Sequence, residues 1–207
     1  MTLAQYVARQ LGNPSGPMGR FLLPRVWNRR NAALNDLTFN ELHLRPNDRV
    51  LEVGCGGGYL LDRIAGAVTD GFIAGIDTSA QVVAFCQSRF RSLVRPGRVE
   101  IKRASAEELP YPSGFFTKAC TVNTLFYVSD ASRAIRELWR VLADGGEAAL
   151  CLTDRRFLEE RRFAAHGLSL YEASEVQEMM EAAGLLDVRL SRGSDRWREF
   201  ICLVGRK

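Results

Sequence analysis

Val50–Tyr59 reads Val-Leu-Glu-Val-Gly-Cys-Gly-Gly-Gly-Tyr and constrains the fold more than any other stretch of the chain. Val50, Leu51 and Val53 form a short apolar run with the character of a buried strand. Gly54, Gly56 and Gly58 follow at alternate positions, and Leu60, Leu61 and Ile64 then open a helical pattern. A strand that breaks into glycines before a helix lets a ligand press on bare backbone whose amides are free to bind it. Glu52, inside the apolar run, narrows the ligand. An acid beside the loop repels a diphosphate and suits a ligand carrying an ammonium or sulfonium charge.

From residue 46 onward strand and helix patterns alternate. Strands are expected at 49–54, 72–76, 98–102, 117–122, 147–152, 186–191 and 198–204, with helices at 58–66, 79–92, 131–142 and 172–183. This order predicts an α/β doubly wound, seven-stranded sheet, mainly parallel and covered by helices on both faces. Only Gly193–Arg196 separates the last two strands, too short for a crossover, so the final strand should run antiparallel. Upstream, 1–12 reads as a short helix, 13–19 as a loop and 20–43 as a helix with a basic side of Arg20, Arg25, Arg29 and Arg30. The division expected is an N-terminal helical arm or lid over 1–45 and a catalytic domain over 46–207.

The chain of 207 residues is long enough to bury a substantial core. No apolar run approaches the ~20 residues that span a bilayer, and the N-terminus lacks the apolar core of a secretory signal. Cys55, Cys86, Cys120, Cys151 and Cys202 form no C-x-x-C pair, which points to reduced, buried thiols in a cytoplasmic setting and no zinc site. Residues 1–50 hold seven arginines against Asp36, Glu41 and Asp48, so the whole excess of +4 belongs to the arm. That charge is too small and too local for nucleic-acid binding. The basic side of the arm is either a solvated face or a surface for a membrane or an anionic acceptor.

In a doubly wound sheet the ligand lies beyond the carboxyl ends of the strands. Asp77, closing the second strand, is placed to accept hydrogen bonds from ribose hydroxyls, with helix capping as the alternative. Ala104–Tyr111 follows the third strand and would bracket an adenine. Asn123–Asp130 leaves the fourth, and Leu142–Ala148 carries a turn at Asp144-Gly145-Gly146 before the fifth.

These pieces, in this order, resemble a class I S-adenosylmethionine-dependent methyltransferase of Rossmann-like fold. The subgroup they are most similar to is the small-molecule type related to the ubiquinone/menaquinone methyltransferases. The resemblance covers about residues 46–207 and rests on Leu51–Gly58, Gly75-Ile76-Asp77, Ala106–Pro110 and Leu142–Gly146. It implies S-adenosylmethionine as cofactor, with the Gly54, Cys55, Gly56 and Gly58 loop along its methionine moiety and Glu52 near its amino group. It further implies Asp77 on the ribose, Thr78 flanking the adenine, and Ser105, Ala106 and Glu107 around the adenine edge. Asn123 and Leu125 would approach from the fourth strand. Where the family usually has an aspartate this chain has Ser105, and where it often has a histidine pair this chain has Phe126-Tyr127.

The resemblance leaves the acceptor open. Residues 1–40 of the arm and residues 154–171 are its expected walls. Tyr127 is a candidate for orienting the acceptor and His166 for a general base, against the alternatives of wall packing and a surface histidine. Trp27 is either core or lid. Aligning acceptor, methyl and sulfur for in-line displacement would supply most of the catalysis; an oxygen or carbon acceptor adds a proton to remove. The partner expected is a small or medium organic acceptor; the oligomeric state stays open. Two rivals are a nicotinamide-dependent oxidoreductase, disfavoured by Tyr59 where G-x-G-x-x-G needs glycine, and a catalytically weak methyltransferase-like subunit.

Overall fold

The computed structural model describes residues 30–94, 96–160 and 168–207. The first described helix, α1 (Ala32–Glu41), lies within the helix expected over 20–43. Then come β1 (Arg49–Val53), α2 (Tyr59–Ala67), β2 (Phe72–Asp77), α3 (Ala80–Arg89), α4 (Arg91–Val94) and β3 (Val99–Arg103). The second half holds β4 (Phe116–Val122), α5 (Ala131–Val141), β5 (Leu142–Thr153), α6 (Arg155–Glu160), α7 (Ala173–Ala182), β6 (Leu186–Ser194) and β7 (Glu199–Arg206).

The seven strands form one sheet in the order β3-β2-β1-β4-β5-β7-β6. The pairs β1–β2, β1–β4, β2–β3 and β4–β5 are parallel, whereas β7 runs antiparallel between β5 and β6. The sheet is thus Rossmann-like, mostly parallel, with the last strand reversed. Winding goes outward from β1 to β3, then restarts on the other side of β1 with β4, which places the switch point between β1 and β4.

Two apolar layers sandwich the sheet, because side chains alternate along a strand. Leu51 and Val53 of β1 face the layer built by α5 and α7, with Ile135, Leu138, Val176 and Met180 fully buried. Val50 faces the layer holding Leu34 and Leu42 beside Leu60, Ile64, Val82 and Cys86. Asp36 joins α1 to α2, accepting from the Tyr59 hydroxyl at 3.2 Å and pairing with the Arg63 guanidinium.

Three local departures from the expected elements have simple causes. The helix expected over 79–92 breaks at Phe90, whose ring lies where a side chain on Gly58 would go (2.7 Å to a built Cβ). The turn at Asp144–Gly146 lies inside β5 as an irregularity: pairing jumps from Phe116↔Leu142 to Lys118↔Glu147. There the Gly145 amide donates to the Lys207 carbonyl at 2.9 Å and the Lys207 amide to Gly146 at 2.9 Å. A 3-10 turn, Leu125–Tyr127, was not a separate element of the sequence pattern.

Candidate functional site

At the switch point the chain opens a cavity of about 400 Å³, within the range of small-molecule sites. Its floor is the glycine loop. Gly54, Gly56 and Gly58 have φ of 78°, 48° and 70°. A Cβ on Gly54 would also sit 2.1 Å from Thr124 Oγ1, and that hydroxyl donates to the Val53 carbonyl at 3.1 Å. The loop therefore needs glycine for conformation and for its packing against β4. The Gly54 and Cys55 amides both reach the Ile76 carbonyl of β2, at 2.8 and 3.0 Å.

Glu52 lines this cavity and is only 3% exposed. Its Oε2 is buried with no hydrogen-bond partner among the described residues. Burial is the main reason its carboxyl titrates well above the usual range; Cys86 and Asp77 push the same way, and the Leu61 backbone amide opposes them. An unpartnered buried carboxyl oxygen is costly, and a cation in the cavity would relieve the cost.

Asp77 ends β2 with one oxygen accepting the Ser79 amide at 2.9 Å and the other the Gly56 amide at 3.2 Å. Burial raises its pKa against the pull of the Ser79, Gly56 and Thr78 amides. The helix cap of α3 is Ser79, which accepts from Val82. Asp77 is thus a cavity carboxylate that also ties down the glycine loop.

Thr78, Ser105, Ala106 and Glu107 line the far end of the cavity. Ser105 Oγ accepts the Glu107 amide at 3.1 Å, and Glu107 Oε1 accepts the Asp130 amide at 2.7 Å. A clamp absent from the sequence reading holds this loop. Arg140 donates to the carbonyls of Tyr111 and Leu109 at 2.8 and 2.9 Å. Its partner Glu137 accepts the Leu109 amide at 2.7 Å. The Arg140 side-chain hydrogen bond holds the Glu137 carboxyl below the usual range, against its own burial.

Asn123 and Tyr127 line the cavity from β4 and the 3-10 turn. Asn123 has φ of 56° and accepts the Thr153 amide at 2.8 Å, locking the ends of β4 and β5 together. Tyr127 is 41% exposed, and desolvation pushes its hydroxyl up to about 12. The phenol is protonated at neutral pH and can donate a hydrogen bond.

Two expected contacts are placed differently. Leu125, in the 3-10 turn, is 2% exposed, packs in the α5 layer and is outside the cavity lining. Gly58 caps α2 and lies outside the lining, under Phe90. Cys55 does line the cavity, but a hydrogen bond with Cys86 and burial keep its thiol protonated. His166, Trp27, Arg20, Arg25 and Arg29 fall outside the described residues.

The remaining wall comes from elements distant in sequence. Arg30, Asn31 and Asn35 reach it from α1 and the residues preceding it, Phe157 and Leu158 from α6, and Arg198 from the turn before β7. The segments 1–40 and 154–171 were expected there; Arg198 was not, since only the reversed strand brings it to this edge.

Residues 51–150 match the model of a methyltransferase domain. An uncharacterized methyltransferase, YdaC of Bacillus subtilis (strain 168), is 32% identical over 125 residues, covering 60% of this chain and 67% of that protein. A 2-phytyl-1,4-naphtoquinone methyltransferase of Synechococcus elongatus is 33% identical over 109 residues, 51% of this chain and 46% of the relative, so the match spans less than half of that protein. Among solved structures, the [4+2]-cyclase SpnF is 25% identical with a TM-score of 0.72, covering 87% of this chain and 82% of that one. The chain belongs to the class I, S-adenosylmethionine-dependent methyltransferase family. No described helix is long and apolar enough to cross a membrane.

Proposed function

We propose that this chain transfers the methyl group of S-adenosylmethionine to a small or medium organic acceptor seated between α1, α6 and the ends of β4, β5 and β7. The observation that carries the reading is the unpartnered, buried Glu52 oxygen beside bare glycine backbone. That site fits a ligand with an ammonium group and repels a diphosphate. Asp77 supplies the carboxylate for the ribose hydroxyls, and the loop held by Arg140 supports the adenine side.

When bound, the cofactor supplies an activated methyl on a sulfonium centre. The residues of this chain have the tasks of holding, aligning and drying. The apolar walls, Phe126, Phe157 and Leu158, exclude water. Tyr127 offers a hydrogen-bond donor. No base is assigned among the described cavity residues, and alignment alone supports ~7–11 kcal/mol of barrier lowering.

Calorimetry with S-adenosylhomocysteine and with NADH tests the reading: the first should bind and the second should not. Asp77→Ala should weaken S-adenosylhomocysteine binding by about one to two orders of magnitude, through lost charged hydrogen bonds. Asp77→Asn should lose less, because an amide oxygen can still accept from Ser79. Binding of NADH alone, or an unchanged affinity in Asp77→Ala, refutes the assignment. A labelled-methyl assay with candidate acceptors separates transfer from a role in which the cofactor stays intact, as in a weak partner subunit.

A further inference from the structure

The cavity is polarised. Glu52, Asp77 and Glu107 stand at the β1–β3 end, and Arg198 with Arg30 at the other. From β2 to β7 there are four strand spacings, about 19 Å. The acids are used in the cofactor reading above; the guanidiniums are not.

Arg198 is built into the wall. Nη1 donates to Thr153 Oγ1 at 3.1 Å, and Nη2 to the Arg30 carbonyl and Asn31 Oδ1, both at 2.7 Å. Its side chain is 13% exposed and lies over Phe157, 6.0 Å from the ring centre. Asn31 stands at the N-cap of α1 without capping it, a role that stabilises a helix by about 1 kcal/mol. Its oxygen faces Arg198 instead, and it also accepts from Asn123 Nδ2 at 3.4 Å. Asn123 is the left-handed residue that ends β4. Asn31 thus gives up the cap to accept from Arg198, and Asn123 donates to the same oxygen.

Asp195 is the counter-charge of Arg198: its Oδ2 lies 3.6 Å from Arg198 Nε, while its Oδ1 accepts the Trp197 and Arg198 amides of the turn. A guanidinium has five N–H bonds; the hydrogen bonds above use three, Nε stands in the ion pair with Asp195, and one Nη1–H has no partner among these contacts. At this end the charged groups that line the cavity are Arg198, paired with Asp195 outside the lining, and Arg30, so the end carries the one positive charge that Asp195 does not offset.

We propose that Arg198 is the acceptor-recognition residue and that the acceptor is a small organic carboxylate with an apolar, flat body. The inference rests on the methyltransferase reading. One positive charge in excess matches a monoanion better than a phosphate dianion, and the remaining Nη1–H of Arg198 can donate a charge-assisted hydrogen bond to one carboxylate oxygen. Phe157, Phe126 and Leu158 supply the surface for the body. The carboxylate anchors one end of the acceptor, and the nucleophile at its other end points toward β4 and β1, where the methyl donor belongs.

The test uses the full chain saturated with S-adenosylhomocysteine and a panel of hydroxy-, amino- and mercaptobenzoates, each paired with its neutral benzamide. At least one acid should bind about tenfold or more tightly than its amide. In methyl-transfer assays Arg198→Gln should erase that preference and raise KM for the acid more than it lowers kcat, while Arg198→Lys recovers part of it. S-adenosylhomocysteine affinity should stay within about threefold, since Arg198 is remote from Asp77 by the spacing above. A purely structural latch would lower stability in Arg198→Gln and leave the acid-to-amide ratio unchanged. The proposal is overturned if no acid outbinds its amide on the wild-type protein, a measurement that needs no variant, or if Arg198→Gln keeps the preference. Failure of the wild type to bind S-adenosylhomocysteine would instead remove the methyltransferase reading.

Discussion

At the scale of single residues the site turns on Glu52. Its folded pKa lies above the free value of 4.5 because of burial. A group raised in this way adds stability that is complete below the unfolded pKa and is lost as pH rises through the folded pKa. The free protein should therefore lose stability from about pH 4.5 upward relative to Glu52→Gln, in thermal scans over that range. The cofactor changes the sign of the preference, since an ammonium beside the carboxyl favours its ionised form. Binding of S-adenosylhomocysteine should then release protons, and its affinity should climb with pH. Titrations in buffers of different ionisation enthalpy should show this release in the wild type and its loss in Glu52→Gln, with affinity about tenfold lower. Equal proton release in the two proteins would show that Glu52 does not meet the cation. This residue was legible in the sequence because an acid in an apolar strand run is conspicuous; Arg198 was not, because nothing local marks it.

At the scale of elements, every strand of the sheet and four of its helices follow from apolar runs and their spacing, since burial on both faces of a parallel sheet writes itself into composition. What the pattern hid depends on contacts far apart in the chain. The break at Phe90 answers to Gly58, the irregularity in β5 to Lys207, and the Arg198 part of the cavity wall to β7. The loop 104–111 shows the same limit. Its sequence suggests an adenine bracket, but its rigidity comes from Glu137 and Arg140 on α5. Arg140→Ala strands the Leu109 and Tyr111 carbonyls and leaves Glu137 without its cation. We expect a loss of about 2–4 kcal/mol, seen as a fall in melting temperature of several degrees at this chain length. S-adenosylhomocysteine affinity should fall severalfold with it, whereas the acid-to-amide preference should survive. Full affinity in a destabilised Arg140→Ala would mean that the clamp serves the fold alone.

At the scale of the whole molecule, the reversed strand connects stability with the site. β7 lies between β5 and β6 rather than at an edge, so two ladders depend on it. Phe200, Ile201, Cys202, Leu203 and Val204 are all at most 4% exposed and feed both apolar layers. The same strand begins just after Arg198, so closing the sheet also sets the far wall of the cavity. Burial of a large apolar side chain stabilises by about 1.5–3 kcal/mol, and the four such positions, Phe200, Ile201, Leu203 and Val204, together rival the 5–15 kcal/mol stability typical of a domain. Leu203 is the sharpest single probe, fully buried and paired across to Leu150 on β5 and Leu190 on β6. Leu203→Ala should cost about 2–5 kcal/mol, measured by urea unfolding, while S-adenosylhomocysteine affinity at a temperature where the variant is folded stays within about threefold. Deleting residues 199–207 should go further and abolish the cooperative transition. A truncated chain that still melts cooperatively and binds S-adenosylhomocysteine would show that the β3-β2-β1-β4-β5 half folds without β7, and that stability and acceptor wall are separable.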